Sequence, residues 1–179
     1  MALLMLRHTR LDIDEGICYG HTDLDVAASF EQESDAVLAK LPTISFIVSS
    51  PLQRCRKLAD KIAARHGHSV QIDPRFREMN FGRWEDVAWD RIPRAELDAW
   101  AADFYNARPH GGESVSHLKV RVDAAILELR REEGNGLVVT HGGVIRAACA
   151  AGTAPDQYQT EIEFGEMIHL PEQEEENHE

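Results

Sequence analysis

Apolar residues gather in three short runs along this chain: Leu3-Leu4-Met5-Leu6, Ile44-Ser45-Phe46-Ile47-Val48 and Leu137-Val138-Val139. Each is bounded by polar or turn residues, the pattern of a fully buried strand. These runs predict strands over residues 2–6, 44–48 and 137–139. Ser69-Val70-Gln71-Ile72, ended by Asp73-Pro74, predicts a fourth. Elsewhere apolar positions recur at helical spacing, as in Phe30, Val37, Leu38 and Leu41 within 28–41, and Leu58, Ile62 and Ala63 within 52–66. Ser114 is placed to cap a further helix over 115–133, with Val115, Leu118, Val122, Ile126 and Leu129 on one face and Gly134 at its end. Alternating strands and helices predict an α/β fold with a largely parallel sheet.

Residues 73–113 break this rhythm. They are rich in charged and aromatic residues, among them Phe76, Phe81, Trp84, Trp89, Trp100, Phe104 and Tyr105. Pro93 suits the first turn of a helix running to Tyr105, and Gly111-Gly112 interrupts the chain again. The segment is expected to fold over the sheet edge as a lid, without a core of its own. No polar linker divides the chain, so residues 1–170 are expected to form a single domain.

The strand ends carry the chemistry. His8 follows the first run within Arg7-His8-Thr9-Arg10, and His141 follows the last, ahead of Gly142-Gly143. The middle run leads into Ser49-Ser50-Pro51-Leu52-Gln53-Arg54. Ligands in open α/β sheets bind outside the carboxyl ends of the strands, so two imidazoles and several guanidiniums are expected to meet at one edge. That set suits a dianionic phosphate. Arg7, Arg10 and Arg54 offer planar forks for its oxygens. His141 can add a ring N–H, and Gly142 and Gly143 can add helix-end amides at close approach. An imidazole such as His8 can attack phosphorus and hold the phosphoryl group, splitting a very slow hydrolysis into two steps. The leaving oxygen then needs a general acid. Glu78, in Arg77-Glu78-Met79-Asn80-Phe81-Gly82-Arg83-Trp84-Glu85, is the candidate, with an aromatic wall favouring its neutral carboxyl. This chemistry requires no metal, and His66-Gly67-His68 lacks a third ligand for one.

The formal net charge of −12 over 179 residues argues against nucleic acid as a partner. No apolar stretch has the length of a membrane-spanning helix, and the start of the chain has no signal-peptide pattern; the cytoplasm is the expected location. Cys18, Cys55 and Cys149 are widely separated, so neither disulfides nor a structural zinc site are expected, and Cys55 and Cys149 read as packing residues. After Arg146 there is no Lys or Arg, while Asp156 and eight glutamates follow. Residues 171–179 are therefore expected to form a solvated acidic tail. The expected partner is a small-molecule phosphate ester, with monomer and homodimer both open.

Leu-Arg-His (6–8), Ser-Ser-Pro-Leu-Gln-Arg (49–54), Arg-Glu-Met-Asn-Phe-Gly-Arg-Trp-Glu (77–85), Gly-Gly-Glu-Ser (111–114) and Thr-His-Gly-Gly-Val-Ile-Arg (140–146) together resemble the histidine phosphatase superfamily, the phosphoglycerate mutase-like group. The resemblance implies a three-layer α/β/α fold and no cofactor. It matches His8 to the phosphorylated nucleophile, Arg7, Arg54 and His141 to the phosphate pocket, and Glu78 to the proton donor. Gly142 and Glu113 fall in its substrate-binding segments. Gly16-Ile17-Cys18-Tyr19-Gly20-His21-Thr22-Asp23 looks most like the α-ribazole phosphatase-like branch, whose members remove the 5′-phosphate of α-ribazole phosphate in cobalamin assembly.

Three positions depart from the family pattern. Thr9 and Arg10 stand where a glycine and an acidic residue are usual, and Asp86 replaces a glycine after Trp84-Glu85. Arg10 reads either as a third phosphate ligand or as a loop charge pairing with Asp12 or Asp14. The short stretch between Trp84 and Gly111 favours hydrolysis over mutase chemistry. The alternatives are a broad-specificity phosphatase, a phosphoglycerate mutase-type phosphotransferase and, from another class, an inactive phosphate-binding regulatory protein.

Overall fold

The computed structural model describes residues 2–170; the expected acidic tail at 171–179 lies outside them. Strands β1 (Leu3–Arg7), β2 (Phe46–Ser49), β3 (Val70–Ile72), β4 (Gly136–Thr140) and β5 (Met167–His169) form one sheet in the order β3-β2-β4-β1-β5. The first four are mutually parallel, and β5 lies antiparallel against β1 at the edge. Sequence reading finds all but β5, whose three residues are too few to show a pattern.

Side chains alternate between the two faces of a strand, and here both faces are covered. Leu4, Leu6, Ile47, Leu137 and Val139 pack with Leu58 and Ile62 under α1 (Phe30–Lys40) and α2 (Gln53–His66). Leu3, Met5, Val48 and Val138 point the other way, packing with Val122, Ile126 and Ile145. These last come from α4 (Val115–Leu129) and α5 (Gly142–Cys149), while α3 (Arg94–Ala102) lies in the aromatic segment. The unbroken apolar runs thus arise because each strand is buried twice, and the result is the expected three-layer α/β/α sandwich. Each such side chain contributes about 1.5–3 kcal/mol by leaving water.

Element ends differ from the sequence expectation for local reasons. β2 starts at Phe46 because Ser45 is bonded to Asn135 ahead of the ladder. α3 stops at Ala102, where Asp103 accepts a hydrogen bond from the Asn106 amide at 3.2 Å and so competes with helix continuation. α4 ends at Leu129; the chain then tightens into single i−3 bonds, and Gly134 turns it at φ 85°.

Residues 73–113 contain three short 3₁₀ turns, Pro74–Phe76, Gly82–Trp84 and Trp89–Arg91, besides α3. The segment forms a small cluster together with Cys18 of the loop that follows β1. Trp84 and Ile92 are buried with Cys18, and Phe81, Trp89, Leu97 and Trp100 pack around them. Phe81 and Trp100 also pack against the main core, together with Phe104 and Tyr105. Among the described residues no helix is long and apolar enough to cross a membrane.

Candidate active site

Parallel register places Arg7 beside Thr140 and Ser49 beside Val139. The residues that follow, His8, His141 and Ser50, therefore leave the sheet together. The His8 amide donates to the Thr140 carbonyl and the Ser50 amide to the Val139 carbonyl, both at 3.0 Å.

His8 is buried, with Nδ1 2.7 Å from the Thr9 carbonyl oxygen. A carbonyl can only accept, so Nδ1 carries the proton and Nε2 is the unprotonated nitrogen of the neutral ring. Burial, then the Arg54 charge, then that of Arg7 hold its pKa down at about 3, against the opposing effect of the Thr9 carbonyl. Thr9 is buried as well. Its backbone is not left-handed: Asp86, φ 64°, is the one non-glycine residue with positive φ among those described. Asp86 thus occupies the conformation that the usual glycine suits, at a cost of about 1 kcal/mol.

His141 is fully buried and meets the His8 ring edge-on, with centroids 5.3 Å apart. Burial first, then Arg54 and His8, push its pKa well below the usual histidine range. Arg54 Nε donates to His141 Nδ1 at 3.3 Å, which leaves the proton on Nε2, 2.8 Å from Ser50 Oγ. The ring N–H expected to face a phosphate is held by Ser50 instead. Cys55, buried as a packing residue should be, places Sγ 3.5 Å from the same nitrogen.

Arg54, at the start of α2, is fully buried. Its Nη1 donates to the Thr22 carbonyl at 2.7 Å and its Nη2 to the Gly20 carbonyl at 2.6 Å. That loop is fastened by Glu85, whose carboxylate accepts from the amides of His21, Thr22 and Phe81. Arg7 donates to the Ile162 carbonyl at 2.7 Å and stacks 3.8 Å above the Phe164 ring, while its buried Nε has no hydrogen-bond partner. Gly142 lies against it: a Cβ there would be 3.4 Å from that Nε.

Glu78 is held by two backbone donors, Met79 at 2.8 Å and Gly143 at 3.0 Å. The Gly143 amide thus serves the carboxylate rather than a free anion site. Behind it, Arg121 on α4 donates to the Glu78 carbonyl at 3.1 Å and forks onto Glu113 at 2.6 and 2.8 Å.

Two expected ligands stand elsewhere. Glu113 is engaged by Arg121 and supports the Glu78 segment from outside the cavity. Arg10 is exposed and turned to Glu33 of α1, which accepts from its amide at 2.9 Å and its guanidinium at 3.3 Å, so neither Asp12 nor Asp14 is its partner. Arg7, His8, Glu78 and Gly142 line one cavity of about 280 Å³. Beyond them it is walled by Phe81, Trp89, Trp100, Phe104 and Tyr158, with Arg146 reaching in from α5. Among the described residues no group of three His, Cys, Asp or Glu is arranged to hold a metal ion. Ser50, Glu85 and Arg121 escape sequence reading as site residues, because each acts through a fold-dependent hydrogen bond; Ser50 and Glu85 lie inside quoted motifs, Arg121 in none.

Comparison with known proteins identifies the family and fold. Residues 3–170 match the model of the histidine phosphatase superfamily (branch 1). The chain is 34% identical over 167 residues to a glucosyl-3-phosphoglycerate phosphatase of Mycobacterium tuberculosis, covering 83% of this chain and 74% of the relative. It is 30% identical over 154 residues to the adenosylcobalamin/alpha-ribazole phosphatase of Escherichia coli, covering 81% and 75%. The native structure of mycobacterial glucosyl-3-phosphoglycerate phosphatase superposes with a TM-score of 0.82 at 27% identity, over 94% of this chain and 88% of that one. The chain belongs to branch 1 of the histidine phosphatase superfamily and is an enzyme of the phosphatase type.

Proposed function

We propose that this enzyme is a metal-independent phosphomonoesterase that works through a phosphohistidine on His8, with Glu78 as proton donor. One observation carries the reading. The Thr9 carbonyl fixes the proton on His8 Nδ1, so a neutral Nε2 is available in the cavity that Arg7 and Glu78 also line. The Nε2 lone pair forms the bond to phosphorus as the ester P–O bond breaks, and the Glu78 proton goes to the leaving oxygen. Glu78, now a carboxylate, takes a proton from water whose oxygen attacks phosphorus. The P–N bond breaks, its electron pair returns to Nε2, and phosphate leaves. Guanidiniums of Arg7 and Arg54 and the first turn of α5 balance the charge on the phosphoryl oxygens.

In this proposal residues 73–113 form the cap of the site, since Phe81, Trp89, Trp100 and Phe104 wall the cavity. Such walls suit a ring-bearing leaving group. The substrate is accordingly a small ring-bearing metabolite phosphate. α-Ribazole 5′-phosphate and glucosyl-3-phosphoglycerate, compounds of the kinds named in two relatives, are the leading candidates. The test is phosphate release in chelator from these two, an aryl phosphate, phosphoglycerates and nucleotides. Hydrolysis led by one of the ring-bearing esters is expected. Isomerised phosphoglycerate in place of free phosphate would instead indicate mutase chemistry, and no turnover at all would point to a binding protein.

A further inference from the structure

The phosphate chemistry proposed above uses Arg7 and Arg54 and leaves one cation of the cavity unassigned. Arg146 lies on the same face of α5 as Gly142 and Gly143, and all three line the cavity. At 1.5 Å rise per residue its Cα stands about 6 Å further along the helix axis than that of Gly142. Its Nε donates to the Thr160 carbonyl at 3.1 Å, and among the described residues no carboxylate pairs with its guanidinium. The 160–164 stretch therefore anchors two arginines at the site, Arg146 through Thr160 and Arg7 through Ile162. A guanidinium with no carboxylate partner among the described residues, in a chain of net charge −12, is set to meet an anion brought by the ligand. The same cavity has apolar and aromatic walls, with Leu118, Trp100 and Phe104 among its residues.

We infer that Arg146 is a specificity-determining residue that reads a carboxylate on the leaving group, one ring's span from the phosphate. The substrate class is then a phosphate ester whose leaving group is itself an acid. This inference rests on the proposed phosphate site, because the spacing is reckoned from Gly142 in the turn of α5 assigned to that site. A charge-assisted, forked contact of this kind is expected to favour the acid over a neutral isostere by about tenfold or more.

The test is calorimetric binding of two non-hydrolysable probes of nearly equal shape, 4-carboxyphenylphosphonate and 4-carbamoylphenylphosphonate. The wild-type protein should bind the carboxylate probe about tenfold more tightly. Arg146→Met should bring the ratio close to one, and Arg146→Lys should retain part of it. Equal affinities in the wild type, or a preference that survives Arg146→Met, would overturn the inference. The wild-type ratio stands as a test even if a variant fails to fold. If neither probe binds, the phosphate-site reading falls and this inference with it. If simple aryl phosphates are hydrolysed while the probes bind equally, only the role of Arg146 is lost.

Discussion

A methyl group at Gly143 would lie 2.3 Å from Glu78 Oε1 and 3.0 Å from Glu78 Cδ. Both distances are inside normal contact, so Glu78 can accept the Gly143 amide only because position 143 has no side chain. The far end of the Glu78 side chain can move away at small cost to the fold, but then it leaves the position that the proposed mechanism gives the proton donor. Glu78→Gln should slow hydrolysis of alkyl phosphates by about 10²–10⁴-fold, the usual contribution of a general acid. Aryl phosphates, whose leaving groups need less protonation, should suffer far less. Gly143→Ala should show the same alkyl-selective loss, smaller in size, while its unfolding midpoint stays near that of the wild type. Steady-state kinetics on one alkyl and one aryl ester decides the matter; equal losses on both would remove Glu78 from the acid role.

At the scale of elements, legibility followed burial. β1, β2 and β4 were readable because each is covered on both faces, so their sequences are apolar without alternation. Their ends could be assigned to one edge for the same reason, and His8, Arg54 and His141 were found there. What stayed hidden depends on neighbours distant in sequence. β5 is a three-residue edge strand recognisable only by its pairing with β1. Arg10 looked like a phosphate ligand because it follows His8, yet α1 presents Glu33 to it. Glu113 looked like a substrate contact because it sits in a Gly-Gly-Glu-Ser turn, yet Arg121, eight residues on, turns it into a brace for the Glu78 segment. The small cluster around Trp84 is not legible in local pattern, since part of it, Cys18, comes from the loop between β1 and α1. Local pattern reveals which residues are buried; partner choice among charges is settled by topology.

The whole molecule carries two neutral, buried imidazoles flanked by guanidiniums at its candidate site, and this has a consequence for stability. The unfolded chain binds protons on these histidines below their ordinary value of 6.5, whereas folded His8 does so only near about 3, and His141 is lowered in the same direction. The unfolded state therefore holds more protons in that window, and stability rises with pH through it. The contribution is complete above about 6.5 and is lost as pH falls toward the folded value, at up to about 1.4 kcal/mol per pH unit for each histidine. Denaturant unfolding of wild type and His8→Asn from pH 7.5 to 4.5 checks this. The wild-type curve should fall more steeply, by close to one proton, and parallel curves would contradict the neutral burial of His8.

The same neutral ring is what the proposed mechanism requires of a nucleophile, and a trapping experiment tests it most directly. The protein is mixed rapidly with a ³²P-labelled aryl phosphate in chelator, quenched in base, and its labelled peptide identified. An acid-labile, base-stable label on His8 is predicted. In His8→Ala the label should be absent and turnover should fall about a thousandfold or more. Label on another residue, or undiminished turnover in His8→Ala, would contradict the phosphohistidine account.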